Sequence, residues 1–233
     1  METKLFYDKT AEKYDSRHTN YMLSYMRKAE EELIKKYVFG KTLDIGCGTG
    51  HHLNLVNSIG LDVSLPMLDE AKKKNCTKLV QGSAEDIPFP DKSFDTILCI
   101  FTVLNFCDIN KAVNEMKRVL KTGGKIIISV TSVWERGNKM LKKKLFRNPQ
   151  PCRKKMRIEG FRLNFHAFTK EEFISLFRGF EKEYFKGIFI VQNPWWGWHR
   201  EFSKWEKIKL RADKFQFLNS AARVYLAVFR KTQ

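Results

Sequence analysis

Leu43-Asp44-Ile45-Gly46-Cys47-Gly48-Thr49-Gly50 decides how the rest of this chain is read. Thr42-Leu43-Asp44-Ile45 has the composition of a short buried strand and runs directly into glycines at 46, 48 and 50. Strand, glycine turn and helix in that order open the ligand cleft of an α/β sheet. A dinucleotide fingerprint would place a third small residue where this chain has His51, whose ring is too bulky to sit between helix and strand. Asp44, two residues ahead of the first glycine, is poorly suited to a pyrophosphate, because two anions would face each other. It suits a ligand that carries positive charge and no phosphate.

A second acid extends the pattern. Gly60-Leu61-Asp62-Val63-Ser64 reads as the end of a second strand, with Asp62 eighteen residues after Asp44. An acid at that place accepts hydrogen bonds from ribose hydroxyls. Each acid alone also reads as an ordinary turn or cap residue. The ordered set narrows the ligand to an adenosyl compound with cationic groups. S-adenosylmethionine, with a sulfonium and an ammonium, meets that description.

Working outward, an amphipathic helix over 20–38 carries Met22, Met26, Ala29, Leu33 and Tyr37 at helical spacing. An α/β alternation follows, with strands expected at 41–46, 58–63, 77–81, 93–101 and 125–131. Ser64 and Asp108 are placed to cap helices, and Thr169-Lys170-Glu171-Glu172 is a capping box. Two late strands are expected near 183–191 and 222–230. The economical organisation is a single domain over 1–233 with insertions at about 132–168 and 193–221.

Composition sets further bounds. A chain of 233 residues with 43% hydrophobic content builds one α/β core. No apolar run approaches the ~18 residues of a membrane span, and Met1-Glu2-Thr3-Lys4 lacks a signal-peptide layout. The five cysteines are scattered without a C-x-x-C pair, so neither a disulfide framework nor a metal site is indicated, and a cytoplasmic setting is expected. The net charge of +17 fits a polyanionic partner or a general bias in lysine usage.

The ordered motifs resemble the class I S-adenosylmethionine-dependent methyltransferases, most closely the type-11 branch that includes quinone-biosynthesis enzymes. They are Phe6-Tyr7-Asp8 with Ala11 to Asp15, Leu43 to Gly50, Gly60 to Ser64, Gln81 to Phe89, Phe94 to Ile97, and Arg118 to Gly124. The resemblance covers residues 5–131 well and the remainder loosely. It implies a Rossmann-like, doubly wound sheet of seven strands, mostly parallel with the last strand antiparallel. It implies that Gly46, Cys47, Gly48 and Gly50 pass under the methionine part of S-adenosylmethionine, with Asp44 beside them. It further implies that Asp62 binds the ribose, that Val63 lies against the adenine, and that Ser83, Ala84 and Glu85 meet the adenine edge. Ile100 would offer backbone near the ammonium, and Tyr14 would close over the sulfonium. Many relatives have Asp where this chain has Ser83, which leaves the adenine amino contact to Glu85 or to a carbonyl.

The implied reaction is an in-line methyl transfer that leaves S-adenosylhomocysteine. The protein then works by alignment and water exclusion, and needs a base only if the acceptor must lose a proton. No residue is assigned as that base. Asn105 orients an acceptor or is a turn residue; His166 faces the cleft or is structural; Tyr7 and Tyr14 line the cleft or pack. Residues 136–157 hold ten Lys/Arg and no Asp/Glu, and four tryptophans fall within Trp195–Trp205. Phe202, Trp205, Ile208 and Ala212 form a stripe that is core or a basic aromatic surface for RNA or membrane. Three functions follow: a methyltransferase acting on a small or lipid-like molecule, an RNA (tRNA) methyltransferase using 136–157, and a non-catalytic binder of the cofactor.

Overall fold

The computed structural model describes residues 2–17, 21–134, 150–188 and 222–232. The lysine run 142–144, the tryptophan-rich segment and the stripe from Phe202 to Ala212 lie outside the described residues. In chain order the strands are β1 (Thr42–Ile45), β2 (Ile59–Asp62), β3 (Leu79–Gln81), β4 (Phe94–Cys99), β5 (Leu120–Thr131), β6 (Cys152–Ile158), β7 (Phe161–Ala167), β8 (Phe180–Ile188) and β9 (Val224–Lys231). The α-helices are α1 (Glu2–Thr10), α2 (Tyr14–Arg17), α3 (Tyr21–Tyr37), α4 (Leu53–Val56), α5 (Leu65–Lys73), α6 (Ile109–Val119) and α7 (Lys170–Ser175).

Seven strands form one sheet in the order β3-β2-β1-β4-β5-β9-β8. The pairs among β3, β2, β1, β4 and β5 are parallel, and β9 runs antiparallel to both β5 and β8. This is the Rossmann-like sheet with its last strand reversed. β1 is buried along its whole length, and β4 is buried except at Asp95 and faces Ala112, Val113 and Met116 of α6 in the main core. Both strands therefore read as apolar runs. On the other face Leu98 and Ile127 pack with Met26, Leu33 and Ile34 of α3. The strand order switches direction between β1 and β4, so the cleft opens beyond their carboxyl ends, at Gly46 and Ile100.

Local chemistry fixes the ends of the elements. The Ser64 hydroxyl accepts from Met67 N–H, the Asp108 carboxylate from Lys111 N–H and the Thr169 hydroxyl from Glu172 N–H, each capping its helix. α4 is a single turn: the glycine turn runs on to His52 before it, and Asn57, in a left-handed conformation with φ 49°, ends it.

A separate two-stranded sheet, β6–β7, fills part of the first insertion. Its strands meet at Glu159-Gly160, whose φ values of 50° and 86° are those of a tight hairpin turn. The hairpin leans on α1 through Phe6 and Phe161, with ring centroids 5.7 Å apart. It leans on the segment after β4 through Phe106 and Phe165, 5.2 Å apart.

Candidate active site

Two adjoining cavities lie beyond the carboxyl ends of β1, β2 and β4, and they share Tyr14, Gly46, Gly48 and Phe101 as walls. The larger, about 300 Å³, is lined by Asp62, Val63, Ser83, Ala84 and Glu85, and by Tyr7 from α1. The smaller, about 60 Å³, is lined by Asp44, Cys47 and Ile100, with Arg27 and Glu30 from α3. The structure thus brings together eleven of the twelve residues expected to bind the cofactor, with Gly50 the exception.

The glycine turn explains both results. Gly48 has φ +53°, and a Cβ there would meet nothing within 4 Å. It presents bare backbone to the cavities. At Gly50, φ is +81° and a Cβ would lie 2.8 Å from the Cys76 sulfur and 3.1 Å from the Ala71 Cβ. Gly50 lines neither cavity; its backbone packs against α5 and the segment after it. This corrects its expected place beside the cofactor. The tight helix packing that His51 could not provide is supplied one residue earlier. His51 lies at the edge of the smaller cavity, half-exposed, and pairs with Glu31 at 3.2 Å.

Asp62 is held rigidly. Its Oδ2 accepts from Gly48 N–H at 2.8 Å and its Oδ1 from Ser64 N–H at 2.9 Å. Each oxygen retains a second lone pair for a ligand hydroxyl. Glu85 Oε1 accepts from Asp108 N–H at 2.8 Å, which ties the loop after β3 to the start of α6. Ser83 accepts from Glu85 N–H at 3.1 Å, so its hydroxyl proton remains to be donated.

Asp44 is 2% exposed, and its Oδ2 has no hydrogen-bond partner. Burial, with Asp62 and Glu30 adding repulsion, pushes its carboxyl up to about 8. Glu30 repeats the situation: it is 1% exposed, its Oε2 is partnerless, and burial pushes it up to about 7. An unmatched buried carboxylate is costly, so two facing one small cavity indicate a site completed by a cation. Sequence reasoning missed Glu30. The available signal was an acid on the same face of α3 as Met26, Leu33 and Ile34.

Burial raises the Tyr7 phenol well above its usual range and pushes Tyr14 up to about 12. Both remain hydroxyl donors at neutral pH, not bases. Both line the larger cavity, with ring centroids 6.3 Å apart.

A third cavity, about 650 Å³, adjoins the first through Thr3, Glu85, Phe106 and Cys107. Asn105 and His166 line it, together with Phe165 and the cations Arg153, Lys154 and Lys155 of β6. Of the two readings of Asn105, acceptor contact or turn residue, its hydrogen bonds favour a structural role. Its amide donates to the carbonyls of Thr131 (2.9 Å) and His166 (2.6 Å) and accepts from Thr131 N–H (3.0 Å). It clamps β5 to β7. His166 is held through Nε2, 2.9 Å from Glu172 Oε1, while its buried Nδ1 has no partner.

Comparison with known proteins agrees with this geometry. A family model described as a methyltransferase domain, of type 11, matches residues 43–128. An uncharacterised protein of Methanocaldococcus jannaschii is 35% identical over 209 residues, spanning 83% of this chain and 82% of its own. A demethylmenaquinone methyltransferase of Thermotoga maritima is 36% identical over 135 residues, 52% of this chain and 58% of its own. The solved structure of a SAM-dependent methyltransferase from Thermotoga maritima shares the fold, with a TM-score of 0.62 at 21% identity over 97% of this chain and 98% of its own. The chain belongs to the class I S-adenosylmethionine-dependent methyltransferases, in the type-11 branch. It is an enzyme of methyl transfer and its cofactor is S-adenosylmethionine. No helix among the described residues is long and apolar enough to cross a membrane.

Proposed function

We propose that the two adjoining cavities hold S-adenosylmethionine and that the methyl acceptor enters from the third. The observation that carries this reading is the partnerless Oδ2 of Asp44 in the smaller cavity, set beside a larger cavity lined by Asp62 and Val63. Asp62 accepts from the ribose hydroxyls, Val63 packs on the adenine, and Ser83, Ala84 and Glu85 line the adenine edge. Gly46, Cys47 and Gly48 admit the methionine portion, and Ile100 closes the far end. Bound there, the cofactor supplies a methyl group already activated on sulfur. Tyr7 and Tyr14 exclude water from the reacting centre, and the rigid strand ends hold the geometry.

The acceptor is a small or lipid-like molecule with an apolar body and an anionic group. Phe106 and Phe165 offer the apolar wall and Arg153, Lys154 and Lys155 the charge. The demethylmenaquinone methyltransferase among the relatives lends support to a lipid-like acceptor. The same three cations favour a second reading, in which they contact the phosphates of an RNA acceptor. Incubation with an isotopically labelled methyl donor, a fractionated metabolite extract and tRNA tests both. Label in the small-molecule fraction supports the first reading. Label in tRNA, with tRNA binding that weakens steeply as salt rises, replaces it with the second.

A further inference from the structure

Methyl transfer to a hydroxyl needs a group that takes the hydroxyl proton. The Asn105 amide has no basic atom, and Tyr7 and Tyr14 keep their own protons. The third cavity holds a better candidate. His166, at the end of β7, is 7% exposed, and its ring packs edge-on against Phe168 with centroids 4.6 Å apart. Its carbonyl accepts from the Asn105 amide at 2.6 Å, which clamps the backbone beneath the ring. Its Nε2 lies 2.9 Å from Glu172 Oε1. The capping box fixes that acid: the Thr169 hydroxyl accepts from Glu172 N–H at 3.1 Å and sets the first turn of α7 beside the end of β7.

An ionised carboxylate only accepts, so Nε2 carries the proton of the neutral ring and Nδ1 is a bare lone pair. That Nδ1 is buried and has no partner, and His166 lines the third cavity. A carboxylate behind an imidazole whose other nitrogen is open is the arrangement of a general base: the acid holds the tautomer and stabilises the imidazolium that forms. Arg153 is the register partner of His166 across the β6–β7 hairpin, and it lines the same cavity. Side chains directly opposite on an antiparallel pair lie on one face of the sheet. A proton acceptor and a guanidinium therefore face one ligand.

We infer that His166 Nδ1 is the general base of the transfer, that Glu172 is its positioning residue, and that the acceptor is a hydroxylated anion whose charge rests on Arg153. This rests on the entry of the acceptor through the third cavity proposed above, and it names the acceptor's reacting group. The methyl–sulfur bond breaks with its electron pair left on sulfur. A lone pair of the acceptor oxygen forms the new bond to the methyl carbon, and the hydroxyl proton passes to Nδ1. The imidazolium, held by Glu172, then gives that proton to water.

The test joins a spectroscopic and a kinetic arm. Nitrogen-15 NMR of ring-labelled protein, with His166→Gln used for assignment, should show the neutral His166 ring protonated on Nε2 and bare on Nδ1. Glu172→Gln, whose amide can donate to Nε2, should shift the ring toward the other tautomer. A wild-type ring protonated on Nδ1 overturns the inference. The kinetic probe is a fractionated metabolite extract incubated with S-adenosylmethionine labelled in its methyl group. Label should collect in an anionic fraction as a methyl ether. His166→Ala should slow that transfer roughly a hundred-fold or more, with imidazole in the buffer restoring part of the rate. Glu172→Gln should slow it roughly ten-fold or more. Both variants should keep wild-type affinity for S-adenosylhomocysteine by calorimetry. An unchanged rate in His166→Ala, or a loss that imidazole does not relieve, overturns the base while leaving the acceptor site in place. Wild-type protein that binds S-adenosylhomocysteine yet labels only tRNA, or nothing in the extract, overturns the small acceptor and the inference with it.

Discussion

Asp44 and Asn105 are both almost wholly buried polar side chains near the tips of the central strands, and they are used in opposite ways. Asp44 leaves an oxygen without a partner beside a cavity, whereas Asn105 commits its amide to the backbone of two strands. The cofactor half keeps unmet polar groups for a ligand. On the cover half, Asn105 closes its hydrogen bonds and leaves aromatic rings and cations around the space. A buried polar atom is therefore read by whether it is satisfied: a satisfied one such as the Asn105 amide holds the fold, and an orphan that faces a cavity, such as Asp44 Oδ2 or, on the cover half, His166 Nδ1, is open to a ligand.

The comparison is broken most easily at Asp62. Asp62→Ala should weaken S-adenosylhomocysteine roughly a hundred-fold or more, since two charge-assisted hydrogen bonds are lost with the carboxylate. Titration calorimetry reads this, and unchanged affinity removes Asp62 from the site. Asn105→Ala should behave in the reverse sense. It removes three hydrogen bonds, among them the partner of the Thr131 N–H, while the Thr131 carbonyl keeps the Phe168 N–H, so urea unfolding should show a loss of about 1–3 kcal/mol with cofactor affinity little changed.

A finer contrast compares two glycines. Gly48 and Gly123 have φ of +53° and +79°, and an added Cβ meets nothing within 4 Å at either. Gly48→Val and Gly123→Val should each cost about 1–2 kcal/mol of stability for the left-handed backbone. Only the first should also weaken cofactor binding, because only Gly48 lines the cavities. Parallel losses of binding in both variants would remove the distinction.

The smallest effect is a pH dependence. Glu30 and Asp44 have folded-state values of about 7 and 8, above their unfolded values, so the folded protein binds more protons between them. Stability contributed by these groups is present at low pH and lost as pH rises through that window. His52, depressed to about 3, acts in the opposite direction below about pH 6.5, which leaves pH 6.5–8 as the informative range. The melting temperature without ligand should fall across that range by a few degrees. Saturating S-adenosylhomocysteine should flatten the fall, and so should Glu30→Gln in part.

The same division governs what could be read from sequence. The cofactor half depends on backbone approach and on acids at strand ends, so spacing reveals it: Gly46, Gly48, Asp44 and Asp62 lie within one βαβ unit. Gly50 was misplaced because sequence cannot tell a glycine that faces a ligand from one that faces a helix. Glu30 was overlooked among the many charges of an amphipathic helix, although its spacing from Met26 and Ile34 puts it on the apolar face. The β6–β7 hairpin was hidden because Arg153-Lys154-Lys155 break the alternation that marks a strand. The third cavity draws on α1, the turn after β4, β6 and β7, and no local pattern spans elements so far apart in sequence.

A structure of the complex with S-adenosylhomocysteine tests the central claim most directly. The account predicts the ribose on Asp62, the adenine between Val63 and the 83–85 loop, and the amino-acid end in the cavity bounded by Asp44 and Glu30. Ligand bound in the cavity beside Arg153 and His166, with Asp44 Oδ2 and Glu30 Oε2 still without partners, would contradict it.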